Sequence, residues 1–157
     1  MRPDLLPRRR FLGFIVAMLA PRVAASPLVP AEFDAGRDPS RDLAAALEIA
    51  HSTHRRVIVD VGGDWCGWCH VLDRLFVDDP ELRRLRDRGF VWLKVNFSKE
   101  NRNEAFLRRW PKVAGYPHLF VVEADGHLLH SQNTDVLESG NGYDVGAMRA
   151  FLVKWSP

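Results

Sequence analysis

Apolar residues recur at helical spacing along several stretches of the chain. The first predicted helix begins at the Asp38-Pro39 pair, a typical N-cap followed by proline at the first helical position. Its apolar face consists of Leu43, Ala46, Leu47 and Ala50. Further apolar periodicities predict helices over residues 68–76, 80–89, 101–110 and 145–155, the last of them capped by Asp144.

Shorter apolar runs between these helices predict strands. Residues 56–61 end in the run V-I-V-D-V, which is continuous enough for a strand that is buried on both faces. A second strand is predicted over residues 90–95, and two more, 119–122 and 128–130, flank the turn at 124–126. The order is a β-α-β half followed by a hairpin and a helix, which indicates an α/β domain.

The first 25 residues have a different character. Three arginines precede a short apolar run over residues 11–20, and small residues follow up to Ala25, which is typical of a cleaved export signal. The run is too short for a membrane-spanning helix, which needs about 20 apolar residues. The run R-R-R-F-L-G resembles the twin-arginine signal at Arg8, Arg9, Phe11 and Leu12, but Pro7 and Gly13 depart from its usual polar flanks, so the export route stays open. We therefore predict cleavage near Ala25, a linker over residues 26–37 and a single domain over residues 38–157.

The net charge of the chain changes sign once the predicted signal is removed. The whole chain carries 22 basic and 20 acidic residues, but residues 26–157 carry 17 basic and 19 acidic ones. The excess of positive charge thus belongs to the signal, and the domain lacks the basic character that nucleic-acid binding requires. We expect a monomer that does not bind nucleic acid.

The chain has two cysteines, Cys66 and Cys69, at the point where the first predicted strand gives way to a helix. A disulfide across two residues closes a very small loop and stabilises a fold little, whereas this spacing suits a redox-active pair. Cys66 is expected at the exposed N-terminus of the helix, where the helix dipole favours a thiolate and lowers the thiol pKa. Cys69 would then be the shielded, resolving thiol.

The segment V-I-V-D-V-G-G-D-W-C-G-W-C at 57–69 resembles the active-site strand and motif of the thioredoxin superfamily without a gap. V-A-G-Y-P at 113–117 is similar to the loop that ends in a cis-proline in that family, and Lys94 falls where its members carry a lysine near a buried aspartate. The resemblance covers residues 38–157 and implies a central mixed sheet flanked by helices. It also implies thiol–disulfide exchange in exported proteins, with no cofactor beyond the two cysteines.

Two departures from the family pattern concern its redox properties. Trp68 replaces the usual proline between the cysteines, and His118 replaces the threonine that is common after Pro117. Both positions influence redox poise and partner choice in the superfamily, so the direction of electron flow stays open. We favour a reductase over an oxidase or isomerase. An exported reductase needs electrons from a membrane protein, and we expect a periplasmic location.

Asp60 and Lys94 are the predicted proton-handling pair. A carboxylate in a buried strand is costly, so Asp60 should have a raised pKa or a cationic partner. Behind Cys69 it could accept the proton of that thiol, with Lys94 modulating it. The alternative is an aspartate at a strand end that only bonds loop amides.

Four residues are predicted to bind the substrate. Pro117, if its peptide bond after Tyr116 is cis, would place its backbone beside the disulfide and offer an edge for an extended substrate. An ordinary trans turn proline is the alternative. Trp65 and Trp68 are expected to form an apolar rim at the site.

Other uses of the cysteines are open at this point. C-G-W-C-H at 66–70 also fits the attachment motif of c-type haem, with His70 as axial ligand. A zinc site would have only Cys66, Cys69 and His70 as ligands, so we expect no metal. A binding module without catalysis is a further alternative, but it needs no paired cysteines.

Overall fold

The computed structural model describes residues 29–157. Its helices are α1 (Pro39–Thr53), α2 (Gly67–Asp78), α3 (Pro80–Gly89), α4 (Glu104–Leu107) and α5 (Val145–Trp155). Its strands are β1 (Arg56–Gly62), β2 (Phe90–Asn96), β3 (His118–Val122), β4 (Leu128–Asn133), β5 (Glu138–Ser139) and β6 (Gly142–Tyr143). A 3₁₀ turn covers Thr134–Leu137.

Four strands form one mixed sheet in the order β2-β1-β3-β4. β1 runs parallel to β2 and antiparallel to β3, and β3 pairs antiparallel with β4. The β3–β4 turn contains Gly126, whose φ of 91° is a conformation that glycine adopts without strain. β5 and β6 form a separate small hairpin. This arrangement confirms the predicted α/β fold with a central mixed sheet between helices.

The alternation of side chains along the strands creates two cores, one on each face of the sheet. One core contains Val57, Val59 and Val61 of β1 and packs under α1. The other contains Ile58 and packs under α2, α3 and α5. Asp60 shares the face of Ile58, so the carboxyl group is directed toward the α2 side of the sheet.

Three helices begin directly after the capping aspartates that the sequence predicted. The Asp38 carboxylate accepts hydrogen bonds from the amides of Ser40 and Arg41, and Pro39 follows as the first helical residue. Asp79 and Asp144 cap α3 and α5 in the same way. The predicted starts of these three helices are therefore confirmed.

The helix predicted over residues 101–110 is wrong in length, because only the single turn of α4 forms. Asn103 has a left-handed conformation with φ of 48°, and its side chain donates to the Asn96 carbonyl. Such side-chain bonds to the backbone compete with helix formation. After Leu107 the amides of Arg109 and Trp110 bond three residues back, in tight turns that do not continue the helix.

The hairpin strands extend beyond their predicted limits. β3 begins at His118 and β4 continues to Asn133, since Ser131 and Gln132 pair with Phe120 and Leu119. Residues 131–133 are polar, so the apolar pattern did not predict that they belong to a strand. The β5–β6 hairpin was not predicted at all.

The predicted export signal and its cleavage point near Ala25 lie outside the described residues. Part of the predicted linker is described, and it packs on the domain. Phe33 is buried, the Arg37 guanidinium bonds the Asp42 carboxylate, and Asn101 donates to the carbonyl of Ala35. Within residues 29–157, no helix has the length and apolarity that crossing a membrane would require.

Candidate active site

The two cysteines form a disulfide where β1 gives way to α2, with 5.3 Å between their Cα atoms. Cys66 is the N-cap of α2, and its Sγ accepts a hydrogen bond of 3.1 Å from the amide of Cys69. An N-terminal amide aimed at this sulfur stabilises a thiolate once the disulfide is reduced. The local structure therefore suits Cys66 as the attacking sulfur.

The expected exposure of Cys66 is wrong for the disulfide form. Cys66 is 3% exposed and Cys69 is 1% exposed. The two sulfurs belong to a small apolar cluster with Phe33, against which Trp68 and Tyr116 pack. Aromatic side chains from three separate parts of the chain thus cover the helix N-terminus.

Gly62 allows the end of β1 to lie close to the Cys66–Cys69 disulfide. A Cβ at this position would lie 2.5 Å from Cys69 Sγ and 2.9 Å from the ring of Phe33. Both distances are shorter than van der Waals contact, so a side chain at position 62 would displace either Cys69 or Phe33. The glycine that ends β1 therefore lets Cys69 and Phe33 pack on the strand.

Asp60 is fully buried in β1, two residues before Gly62. Its Oδ2 accepts a hydrogen bond of 3.0 Å from Trp92 Nε1, while its Oδ1 has no partner among the described residues. Burial raises the pKa of Asp60 to about 6, against opposing effects of the Trp92 hydrogen bond and the charge of Lys94. The carboxyl group can therefore exchange a proton near neutral pH.

Lys94 lies opposite Asp60 in the β1–β2 register, but its ammonium bonds a different carboxylate. Lys94 Nζ is 2.6 and 2.7 Å from the two carboxylate oxygens of Asp73 in α2. It also lies 4.5 Å from the centre of the Phe33 ring. Lys94 thus acts on Asp60 through its charge and not through a direct bond.

The predicted substrate-binding residues lie on the outer side of the disulfide. Trp65 is 57% exposed, and its Nε1 donates to the Phe97 carbonyl at 2.6 Å. Its ring meets that of Tyr116 edge-on at 5.5 Å, and Tyr116 stacks on Phe97 at 4.8 Å. Trp68 is half-buried, with its ring 5.5 Å from Tyr143.

The peptide bond between Tyr116 and Pro117 is cis. The Pro117 carbonyl accepts a hydrogen bond of 2.7 Å from the Thr134 hydroxyl. Pairing of β3 with its neighbours begins only at His118, so the backbone of Tyr116 lies outside both ladders. The buried His118 bonds Ser131 Oγ through Nε2 at 2.8 Å, and burial lowers its pKa, which favours the neutral ring.

The histidine that could ligate haem has a partner within the protein. His70 Nε2 lies 2.8 Å from the carbonyl oxygen of Asp64. Haem attachment would also use both sulfurs, which are here bonded to each other. Among the described residues there is no cluster of histidine, cysteine and carboxylate side chains that could hold a metal ion.

Sequence reasoning missed four residues of this site. Asp73 could have been found, since it follows Cys69 by four residues and thus shares its helical face. Trp92 precedes Lys94 by two residues in a strand and so shares its face. No sequence signal connects Phe33 or Phe97 to the cysteines, because their contacts arise only from the tertiary fold.

Residues 38–124 match the model of a family described as thioredoxin-like. The thiol:disulfide interchange protein DsbE of Pseudomonas aeruginosa is 32% identical over 112 residues, which are 70% of this chain and 57% of that protein. The thiol:disulfide interchange protein DsbD of Pseudomonas fluorescens is 27% identical over 116 residues, 73% of this chain but only 18% of the relative.

Solved structures show the same fold. A disulphide isomerase from Xylella fastidiosa superposes with a TM-score of 0.65 and 20% identity, covering 81% of this chain and 96% of the other. The reduced carboxy-terminal domain of DsbD from Neisseria meningitidis gives a TM-score of 0.55 at 21% identity, covering 74% and 96%. The family match spans more than half of the chain and includes both cysteines, so the chain belongs to the thioredoxin-like family.

Proposed function

We propose that this protein is an exported thiol–disulfide oxidoreductase that reduces disulfides in other exported proteins. The observation that carries the proposal is the Cys66–Cys69 disulfide at the N-terminus of α2, which follows the strand that contains the buried Asp60. One oxygen of Asp60 has no partner within residues 29–157. Two relatives of the chain, which are named thiol:disulfide interchange proteins, support this proposal.

The reaction begins with the reduced dithiol. The Cys66 thiolate attacks one sulfur of a substrate disulfide, which forms a mixed disulfide and releases the other substrate sulfur as a thiolate. Cys69, as a thiolate, then attacks the Cys66 sulfur. This second step releases the remaining substrate thiolate and leaves the Cys66–Cys69 disulfide, so two electrons pass from the protein to the substrate.

Asp60 has the properties of a proton acceptor for Cys69. The burial of Cys69 disfavours a free thiolate. Attack by Cys69 on the mixed disulfide therefore needs a base that takes the proton of the Cys69 thiol. With a pKa of about 6, Asp60 is ionised in a ratio of about ten to one at pH 7 and can still hold a proton. Lys94 modulates Asp60 by its charge, while Asp73 holds the ammonium.

The substrate would bind on the outer side of the disulfide. The backbone of Tyr116, outside the sheet ladders and next to Pro117, offers hydrogen bonds to an extended substrate segment. Trp65 and Trp68 provide apolar contact area beside the sulfurs. Because Trp68 and Tyr116 pack against the cysteines, a substrate sulfur reaches Cys66 by displacing part of this cover.

We favour the reductase direction because a buried, ionisable Asp60 with Lys94 beside it is typical of proton handling in reductases of this superfamily. An oxidase or isomerase on the same fold is the alternative, since Trp68 replaces the usual proline between the cysteines. A periplasmic reductase requires a membrane protein that passes electrons to it. We propose periplasmic export through the predicted signal, and no cofactor besides the cysteine pair.

Insulin reduction tests the activity. The mature protein should accelerate the precipitation of insulin chains in the presence of dithiothreitol, and Cys66→Ser should remove the acceleration. Val153→Ser, a change at an exposed position of α5 that keeps both cysteines, is the matched control and should retain activity. Equal turnover by Cys66→Ser and the unaltered protein would overturn the catalytic assignment, and a Soret band in the purified protein would favour haem attachment instead.

Trapping of intermediates tests the order of the two thiols. Cys69→Ser allows attack by Cys66 but not resolution, so mixed disulfides with substrates should accumulate. Non-reducing gels of periplasmic extract would display them. The adducts should vanish when Cys66 is also replaced by serine. Adducts that form instead through Cys69 in the Cys66→Ser variant would show that the assigned order is reversed.

A further inference from the structure

A surface that is both aromatic and basic lies beside the disulfide, and the proposed reaction does not account for its charge. We define the basic face as Trp65, Phe97 and Tyr116 with Lys99, Arg102, Arg108 and Lys112. Two open cavities of about 430 and 380 Å³ meet at Phe97, one against Trp65 and the other against Tyr116. All four basic side chains line these cavities and belong to exposed residues.

The aromatic part of the face lies next to the cysteines, and its three side chains contact one another. Trp65 directly precedes Cys66, and its indole N–H is fixed by the Phe97 carbonyl at 2.6 Å. Tyr116 connects the two rings, edge-on to Trp65 and stacked on Phe97. A segment bound in these cavities would therefore lie within reach of the reacting sulfurs.

The stretch that contributes the four cations has a net positive charge, whereas the domain as a whole is acidic. Residues 99–112 contain five basic and two acidic residues, whereas the remainder of residues 26–157 contains twelve basic and seventeen acidic ones. The two acidic residues, Glu100 and Glu104, line the same cavities. Glu104 pairs with Arg102 at 4.0 Å, and Glu100 interacts with the charge of Lys99. Within residues 29–157, no carboxylate forms an ion pair with Arg108 or Lys112.

We propose that the basic face binds an acidic, extended segment next to the disulfide of the protein substrate. The cations attract the acidic side chains, and the aromatic rings contact the apolar ones, as complementary charge favours a correct encounter. This inference rests on the proposed function and names the class of substrate that the site prefers. It does not depend on the direction in which electrons flow.

Synthetic peptide disulfides provide the test. Each probe is a symmetric disulfide of one short peptide, whose single cysteine is flanked by four glutamates, four glutamines or four lysines. The reduced mature protein converts one probe into two peptide thiols and becomes the Cys66–Cys69 disulfide. The change in tryptophan fluorescence reports the rate of this reaction, because Trp65 and Trp68 are neighbours of the two cysteines in sequence.

We expect the glutamate probe to react at least about tenfold faster than the lysine probe at low salt, with the glutamine probe between them. The two rates should converge in about 0.5 M salt, since screening weakens attraction between exposed charges. The double variant Arg108→Glu with Lys112→Glu should invert the preference. Arg83→Glu with Arg84→Glu, the same charge change on exposed residues of α3, should leave the preference within about twofold.

The outcomes separate this inference from the proposed function. If all three probes react at equal rates and insulin is still reduced, the acidic preference is wrong while the oxidoreductase activity stands. If the α3 control inverts the preference as strongly as the basic-face variant, net charge and not this surface is responsible, and the inference is overturned. If no probe and no insulin is reduced, the proposed function itself fails.

Discussion

The two sides of the Cys66–Cys69 disulfide differ in burial and in charge. The inner side, toward β1 and β2, contains Asp60 and Phe33, both buried. The outer side contains Trp65, which is more than half exposed, and the basic residues of the loop after β2. One side excludes water around an ionisable group, while the other presents rings and charges to solvent.

In the proposed reaction, this difference would separate two tasks, proton transfer and substrate recognition. Proton transfer from Cys69 benefits from a dry site, where a carboxyl group keeps a raised pKa. Recognition of a partner protein benefits from an accessible surface with fixed rings and charges that attract from a distance. Substitutions on the inner side should therefore change stability and pH dependence, and those on the outer side should change substrate rates.

Phe33→Ala should have the largest effect on stability. Phe33 seals Cys69 and Gly62 and lies over the Lys94 ammonium, so its truncation leaves a cavity and admits water. A buried phenylalanine replaced by alanine costs about 3 kcal/mol, which urea unfolding would measure. Phe33→Leu keeps most of the apolar volume and should cost at most about 1.5 kcal/mol. A cost for Phe33→Ala below about 0.5 kcal/mol would show that the segment before α1 does not seal the site.

Asp60→Asn should stabilise the folded protein, but only above a certain pH. A carboxyl group whose pKa rises on folding, here from 3.8 to about 6, holds its proton more tightly when folded. Its ionisation therefore destabilises the fold as pH rises from about 4 to about 6, and the full penalty, at most about 3 kcal/mol, persists at higher pH. The variant should gain up to that amount at pH 7.5 and almost nothing at pH 4 in urea unfolding. An equal gain at both pH values would contradict the raised pKa.

Trp65→Ala should have the smallest effect on stability, less than about 1 kcal/mol, because the side chain is mainly exposed. It removes the ring next to Cys66 and the bond to the Phe97 carbonyl, so reduction of peptide disulfides should slow. Unfolding and peptide assays on the same preparation would compare the two effects. A loss of stability as large as that of Phe33→Ala would remove the distinction between the two sides.

The sequence predicted the parts of the fold that depend on local signals. Asp38-Pro39, Asp79-Pro80 and Asp144 each fix a helix start through a side-chain cap, and β-branched residues mark β1. It failed over residues 101–110, where asparagine side chains bond the backbone and leave a single turn. It also missed the polar half of β4, whose pairing is decided by β3.

In the candidate site, too, the features that depend on local sequence were predicted, and the contacts between distant parts of the chain were not. The cysteine spacing predicted the disulfide, and the buried strand predicted a perturbed Asp60. The partner of Lys94 was not predicted, because Asp73 reaches it from another element. The cover over Cys66 was not predicted either, since Phe33 and Tyr116 come from distant parts of the chain.

The most direct test of the account separates attack from resolution in the Asp60→Asn variant. Stopped-flow tryptophan fluorescence, with the reduced protein and a peptide disulfide, would follow both steps between pH 6 and 9. The account predicts that attack by Cys66 keeps its rate, while resolution by Cys69 slows and becomes steeply dependent on pH, because the thiol must lose its proton without Asp60. A variant whose resolution rate equals that of the unaltered protein across this range would contradict the account and leave Asp60 with a purely structural role.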